Sequence, residues 1–389
     1  MDFINDLLEQ TEEIETPASF IKWAGFASIS AILKRNVFLN KWAYKLYPNI
    51  YILFIADSGL AKGFANVIAT KLVGSVDNTR VISGRNSIQG ILADLSKATT
   101  SNNGGPPILD ASCFLNSGEF VNFLLQDDQA VSILTELYDS NYIQKYTSTL
   151  KGTGKETLKD PYVVLLGSSN ETLLKEALPE SSVEGGFIAR TILVREDKKR
   201  CINPLTRAPT KPIDWNSLSH YLKEIAKLRG EFRYTSESRD FYEEWYREFA
   251  KRDFTDKTGT ANRLHDTILK LAIIISCSQR LDLVLEKSDI EKAIEELVTV
   301  KSKERGLFLV AQNKSELAVK TKKVLSEIAR NGKRKRIRIL QDLMGYVNAD
   351  ELDKVIDNLK QANFVKESRS DKEVYYELTE FAEEKLRTN

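Results

Sequence analysis

The sequence predicts an α/β fold: a layered, mostly parallel sheet with helix before it, helix after it and a small unit at the C-terminal end. Three observations carry this. Between residues 46 and 200, short apolar runs of strand length alternate with helical patterns, as buried strands separated by crossover helices do. Beyond residue 200 the apolar runs give way to long helical patterns. The 389 residues are 42% hydrophobic and 29% charged, which suits a folded chain with a sizeable core and excludes wholesale disorder.

Residues 2–15 alternate acidic and apolar positions at helical spacing until Thr16-Pro17 breaks the pattern. Residues 18–35 resume it with Phe20, Trp23, Phe26, Ile29 and Leu33 on one stripe, which is read as core packing. After the turn signal YPN, the run IYILFIA (50–56) is a buried strand, followed by a small-residue turn and a helical pattern over 64–73. Further strands are expected at 80–82, 113–115, 162–166 and 192–194, with helices at 87–98 and 118–137. The Pro-rich stretch NPLTRAPTKP (203–212) reads as a linker, and 215–230, 236–252, 260–280 and 288–311 as an all-helical block. Helices over 318–330, 337–344 and 349–362, the last capped by Asn348, precede FVKES, a polar RSDK tip and EVYYEL. Three helices followed by two strands around a polar tip make the pattern of a winged helix. The length suggests two or three domains. The expected divisions are a helical N-terminal segment (1–45), the α/β core (46–200), a helical domain (213–312) and the winged helix (313–389).

Composition excludes several classes. With 56 Lys+Arg against 55 Asp+Glu the net charge is +1, so no general basic coat exists and any nucleic-acid contact is local. Three scattered cysteines and two histidines suit neither a disulfide framework nor a histidine-rich metal centre. No apolar run approaches the ~20 residues of a membrane span, and the acidic N-terminus is unlike a signal peptide. A reducing, cytoplasmic setting without membrane contact is expected.

The strongest chemical signal is Ala56-Asp57-Ser58-Gly59-Leu60-Ala61-Lys62-Gly63, with Phe64 continuing into the helix. It lies between an apolar strand and a helix, where backbone N–H groups face bound phosphates and a lysine adds positive charge. Against G-x-x-x-x-G-K-[ST], alanine replaces both glycines and Gly63 replaces the magnesium-binding hydroxyl. An ordinary strand–turn–helix with an exposed lysine is the alternative. Glu119, directly after the strand near 113–115, is placed to activate a water, or else is a helix-start charge favoured by the dipole. Asn170 ends the YVVLLG strand and Arg190 precedes TILV. An arginine in that place suits transition-state charge on a neighbouring subunit's nucleotide, with a plain surface arginine as the alternative.

In this order the elements resemble those of AAA+ ATPases, and among them MCM-like helicases and the replication ATPases of phages, plasmids and other mobile elements. The family loop reads G-D-P-G-T-A-K-S, so Ala61 before Lys62 is expected. The resemblance covers roughly residues 45–310, plus the winged helix that MCM-like proteins also carry at the C-terminus. It implies an AAA+ P-loop core, Glu119 as the catalytic glutamate, Asn170 as the sensor-1 polar residue and Arg190 as the arginine finger. Arg263, opening a helix in the helical lid, would be a second sensor arginine at the nucleotide. The resemblance implies ATP with Mg2+, a ring, in all expectation a hexamer, and DNA as partner, with a primase or another replication protein as a further candidate. Gly63 and Gly118 stand where the family has its magnesium-positioning hydroxyl and carboxylate. The expected function is therefore an ATP-driven DNA helicase, the alternative a nucleotide-gated DNA-binding or loader protein that hydrolyses ATP slowly or not at all.

Two basic features are candidates for DNA contact. TSTL and ETL can pair as a hairpin around KGTGK, and the family carries a channel hairpin at this place, which would put Lys151 and Lys155 on the DNA backbone. A solvated turn is the alternative. The second is the run Lys333, Arg334, Lys335, Arg336 and Arg338, with Arg369 and Lys372 at the wing tip. Residues 313–389 carry 17 Lys/Arg and 14 Asp/Glu, and Asp350, Glu351, Asp353 and Asp357 make the helix at 349–362 ill suited to a DNA groove. A protein-binding or regulatory winged helix stays open.

Overall fold

A computed structural model describes residues 2–84, 86–97, 110–127, 129–139, 145–150, 154–178, 186–204, 210–251, 260–304, 316–343, 347–370 and 373–382. The chain divides into two compact units, Met1–Glu304 and Arg305–Asn389.

The first unit opens with α1 (Phe3–Gln10), capped by the Asp2 carboxylate on the Asn5 N–H, and α2 (Ala18–Leu33). Thirteen of the sixteen residues of α2 are buried, so it is a central helix rather than a half-exposed one with a single stripe. Small residues allow this. At Gly25 a Cβ would lie 2.7 Å from Ile4 Cδ1, so α1 crosses directly over that glycine. Strands β1 (Val37–Asn40) and β2 (Lys45–Leu46) follow, then β3 (Tyr51–Ile55) and α3 (Lys62–Gly74). The chain continues through β4 (Val81–Ser83), α4 (Ile88–Leu95), β5 (Ser112–Ser117), α5 (Phe120–Leu124) and α6 (Ala130–Tyr138). The hairpin strands β6 (Lys145–Leu150) and β7 (Gly154–Lys159) lead to β8 (Tyr162–Ser169), α7 (Glu171–Ala177) and β9 (Thr191–Arg195).

Strands β4, β5, β8, β3 and β9, in that order, form one all-parallel sheet. Every residue of β3 and β8 is buried, as expected of parallel strands covered on both faces. From β3 the chain moves to β4 at one edge, returns through β5 and β8, and ends with β9 on the other side of β3. The crevice at the carboxyl end of β3 therefore lies where the order reverses, the position at which open parallel sheets bind ligands.

The region after residue 200 differs from the all-helical expectation. Helices α8 (Trp215–Ile225), α9 (Ser236–Ala250), α10 (Thr260–Gln279) and α11 (Lys287–Glu304) are present, but β10 (Gly230–Tyr234) and β11 (Val284–Leu285) lie between them. Strand β10 pairs in parallel with both β1 and β11, and β2 completes a second sheet. One hydrophobic core runs from Phe3 and Leu7 through α2, β3 and α3 to α8, α10 and α11. The described parts of 203–214 are tied down as well. Thr210 N–H donates to Glu13 Oε1 at 3.0 Å and Asp214 N–H to Gln10 Oε1 at 2.7 Å.

The second unit holds α12 (Glu316–Asn331), β12 (Arg334–Lys335), α13 (Arg336–Asp342), α14 (Ala349–Gln361), β13 (Val365–Ser370) and β14 (Glu373–Leu378). Asn348 and Glu351 close α14 with a reciprocal capping box. The strands form an antiparallel sheet in the order β12-β14-β13 over a core that includes Val324, Ile328, Ile339, Leu352, Ile356 and Tyr376. No described helix in either unit is long and apolar enough to cross a membrane.

Candidate functional site

The loop from Ala56 to Lys62 leaves the carboxyl end of β3, the central-region strand flanked by β8 and β9. Two backbone features shape it. Gly59 has φ +90°, which glycine adopts freely, and Ala61 sits in the left-handed region at φ 53°, which costs an alanine about 1 kcal/mol. A neighbour braces Ala61: the buried Thr16 hydroxyl donates to its carbonyl at 3.1 Å. The residue that broke the helical pattern in the sequence thus supports the loop.

Helix α3 starts at Lys62 with no side-chain cap and no acidic residue in its first turn. Phe64 N–H donates back to the Ala61 carbonyl at 3.2 Å, which leaves the N–H groups of Lys62 and Gly63 and the positive end of the dipole to meet an anion. Lys62 folds back over the loop, donating to the carbonyls of Ala56 at 2.5 Å and Asp57 at 2.9 Å. Burial lowers its pKa from the usual lysine value, and the carboxylates of Asp57 and Glu119 oppose that shift. Asp57, Ser58 and Gly59 are exposed, and Leu60 and Phe64 pack partly against the core. A Cβ at Gly59 or Gly63 would meet nothing within 4 Å, so the loop is open on its outer side.

Strand register brings Asn170 and Glu119 to the same end of the sheet. Ile55 pairs with Ser169, and Ala56 N–H donates to the Ser169 carbonyl at 3.3 Å, which sets Asn170 beside the loop. The Asn170 side chain caps α7, accepting from Leu173 N–H at 2.7 Å. Ser117 pairs with Gly167, so Gly118 and Glu119 emerge at the carboxyl end of β5. Glu119 is exposed, accepts a 3.4 Å contact from Asn122 Nδ2, and lines a cleft of about 650 Å³ with Gly84, Asn86, Gly118 and Asn122.

Between α3 and these strands lies a buried network of amides and hydroxyls that sequence reasoning did not find. Asn116 Nδ2 donates to Thr70 Oγ1 at 2.6 Å and to the Asn66 carbonyl at 2.9 Å, and Ser168 Oγ donates to Asn66 Oδ1 at 3.2 Å. Asn66 Nδ2 and Asn116 Oδ1 are buried without a hydrogen-bond partner. A Cβ at Gly118 would lie 3.8 Å from Asn66 Nδ2, so an acceptor at position 118 is what that amide lacks. The only hints in the sequence were polar residues inside apolar strands, CFLNS and YVVLLGSS. Arg195, which closes β9 opposite Ile55, adds a further unforeseen cation at this end, 3.5 Å from Glu171.

The phosphate part of a nucleotide fits this loop: open glycines, an uncapped helix start and a lysine held only by carbonyls. Positions 63 and 118 carry no side chain, so neither can supply a magnesium ligand, and the carboxylates near Lys62 are those of Asp57 and Glu119.

Arg190 and Arg263 are not at the loop. Arg190 precedes β9, whose Thr191 pairs with Tyr51, so it lies at the amino end of the strands, about 15 Å of strand from Ile55. It is 9% exposed and grips Asp139, from Nη2 at 2.5 Å and Nε at 3.3 Å, while Nη1 donates to the Gly186 carbonyl at 2.9 Å. Gly186 has φ +88°, and a Cβ there would come within 2.6 Å of the guanidinium. Arg263 reaches the same carboxylate at 3.3 Å. The expected finger and the expected second sensor therefore converge on Asp139, a lone acid that nothing in the sequence marked. Lys270 extends the network. Its Nζ donates to Asn49 Oδ1 at 2.9 Å and lies 3.9 Å over the Tyr138 ring, and burial lowers its pKa to about 7.

The basic run of the second unit is largely paired within that unit. Arg334 meets Asp342 at 2.7 Å, Lys335 meets Glu373 at 2.6 Å, and Arg336 takes Asp353 with two hydrogen bonds at 2.9 and 2.8 Å. Arg369 turns to Glu367 at 3.1 Å. Lys333 lies 5.3 Å from the Tyr375 ring centroid, and Arg338 donates to Gln341 at 3.2 Å. The hairpin β6–β7 is present, but Lys151, the Lys155 side chain and Lys372 lie outside the described residues. No protein-family model matches the chain, and no curated protein matches it either.

Proposed function

We propose that the chain is a P-loop ATPase of the AAA+ type that assembles a ring and works on DNA as an MCM-like helicase, in the replication of a phage or mobile element. One observation carries the nucleotide part: the uncapped start of α3, with Lys62 on it, sits at the carboxyl end of β3 where the strand order reverses. Asn170 and Glu119 stand at the same end of the sheet, with the order and spacing that the resemblance expects. In this reading Lys62 and the N–H groups of α3 hold the phosphates, Glu119 orients and deprotonates water, and Asn170 keeps its amide N–H donors for the γ phosphate. The second unit, three helices and a three-stranded antiparallel sheet, is read as the winged helix. Arg190 can act on a neighbour's nucleotide only after its grip on Asp139 opens. The test is ATP hydrolysis with and without single-stranded DNA. The parent should be stimulated by DNA, and Glu119→Gln should bind ATP and form rings without turnover. A Glu119→Gln variant that hydrolyses ATP at the parental rate would rule the assignment out.

A second reading is favoured by Gly63 and Gly118: a nucleotide-gated DNA-binding or loader protein. With no side chain for magnesium at either position, ATP and Mg2+ would bind through phosphates and waters, and turnover would be slow. Assembly on ATP without hydrolysis in the parent itself would select this reading.

A further inference from the structure

Lys159 ends the hairpin strand β7, and the chain turns through Asp160 into β8. Both residues line an open cleft of about 960 Å³ at the amino ends of β4, β5 and β8, the end of the sheet opposite Lys62. Its cations are Lys34, Arg35, Lys159, Lys223, Lys227 and Arg229, and its acids Asp77, Asp110 and Asp160. The charges are layered. On the inner wall they are matched, Lys34 with Asp110 at 2.5 Å and Arg35 with Asp160 at 3.6 Å. The rim is different. Lys159, Lys223, Lys227 and Arg229 are exposed there against a single exposed acid of the lining, Asp77.

Some rim cations have local work. Arg229 Nη1 donates to the carbonyls of Ala226 and Leu228, which lie past the end of α8, and exposed Lys227 pairs with half-buried Glu224, a contact worth little. The Lys159 and Lys223 side chains make no hydrogen bond or ion pair among the described residues. A second, independent observation comes from the hairpin register. Lys145 and Lys159 are direct cross-strand partners, and both are exposed. Like charges opposite one another weaken a strand pair, so the fold keeps this lysine pair at a cost to itself.

We infer that the hairpin root and this cleft hold the phosphate backbone of a nucleic-acid strand. The described lining residues include no aromatic ring, so contact there is through phosphates, independent of sequence. This deepens the reading of DNA as substrate by assigning a contact distinct from the hairpin tip.

The test is fluorescence anisotropy of labelled oligo-dT with the full chain, titrated over a range of salt. Lys159→Glu with Lys223→Glu should bind about tenfold or more weakly, with a salt slope shallower by about 1.4, the value for two single-strand phosphate contacts. A matched reversal at the exposed Lys292 should leave affinity and slope unchanged. Parental affinity and slope in the double variant would overturn the inference. So would displacement of oligo-dT by poly-glutamate at equal charge concentration, which would assign the cleft to acidic protein. ATP binding measured on the same proteins separates the two proposals. A parent that binds ATP but no oligo-dT overturns the cleft assignment, and the DNA part of the proposed function with it, and leaves the nucleotide reading standing. A parent that binds oligo-dT through the cleft but no ATP overturns the nucleotide reading alone.

Discussion

The carboxyl ends of the strands and the amino ends of β3 and β9 are built in opposite ways. At the carboxyl ends of the strands, polar groups are left unmatched: an uncapped helix start, a lysine resting on carbonyls, and the orphaned amide atoms of Asn66 and Asn116. At the amino ends of β3 and β9, charges are matched: buried Arg190 and half-exposed Arg263 share Asp139, and buried Lys270 is held by Asn49 and the Tyr138 ring. Unmatched groups are costly unless something binds them, whereas a matched buried pair acts as a joint. The difference separates what this molecule holds open for a ligand from what it uses to lock α10 onto the sheet.

The largest expected effect is at the closed end. Asp139→Ala strands the buried Arg190 guanidinium without its carboxylate and should cost about 3–5 kcal/mol of stability in urea unfolding, as breaking a buried pair does. Lys62→Ala at the open end should leave the unfolding transition close to the parent's. Equal stability of Asp139→Ala and the parent would break the comparison. Next comes pH. Lys270 has its pKa lowered to about 7 in the folded chain, against an ordinary value of 10.5. Between those values the unfolded state binds more protons, so this group makes stability rise with pH from about 7 towards 10.5; on acidification the loss is complete near 7, where both states are protonated. In Lys270→Met that slope should vanish, and the variant should gain on the parent at pH 6. An unchanged pH profile would show that the amine is charged in place.

Smaller effects probe the open end. Both Gly63 and Gly118 have room for a side chain, and Asn66 Nδ2 awaits an acceptor near position 118. Gly63→Ser with Gly118→Asp should therefore fold and should raise magnesium-dependent ATP hydrolysis above the parent. No gain would mean that the two glycines are not what limits turnover. The smallest is Thr16→Val, which removes the hydrogen bond to the Ala61 carbonyl. At about 1 kcal/mol for such a bond, ATP affinity should fall by roughly fivefold.

The sequence made the parallel sheet legible because its strands are continuous apolar runs, and β3 is buried along its whole length. It hid β10 because GEFRY buries only Phe232 and pairs with Val37–Leu39, almost two hundred residues earlier. It understated α2 because alanine, glycine and serine look neutral in a stripe, yet here they let neighbouring elements approach from all sides. The same division holds at the site. The shared sheet end of Lys62, Glu119 and Asn170 was readable because Glu119 and Asn170 come just after strands and Lys62 closes the loop after β3, and parallel register then brings strand ends together. The destination of Arg190 and Arg263 was not, since Asp139 is a single acid after a helix. The pairing of the basic run at 333–338 was hidden for a related reason. Its acidic partners Asp342, Asp353 and Glu373 reach it only through the fold.

The central claim is that the start of α3 is a nucleotide site. Titration of a fluorescent ATP analogue into the parent and Lys62→Ala tests it most directly. Saturable binding in the parent should weaken about tenfold or more in the variant, the loss expected for a hydrogen-bonded charge on phosphate, while both unfold alike. Equal affinity in the two proteins, or no binding to the parent, would contradict it.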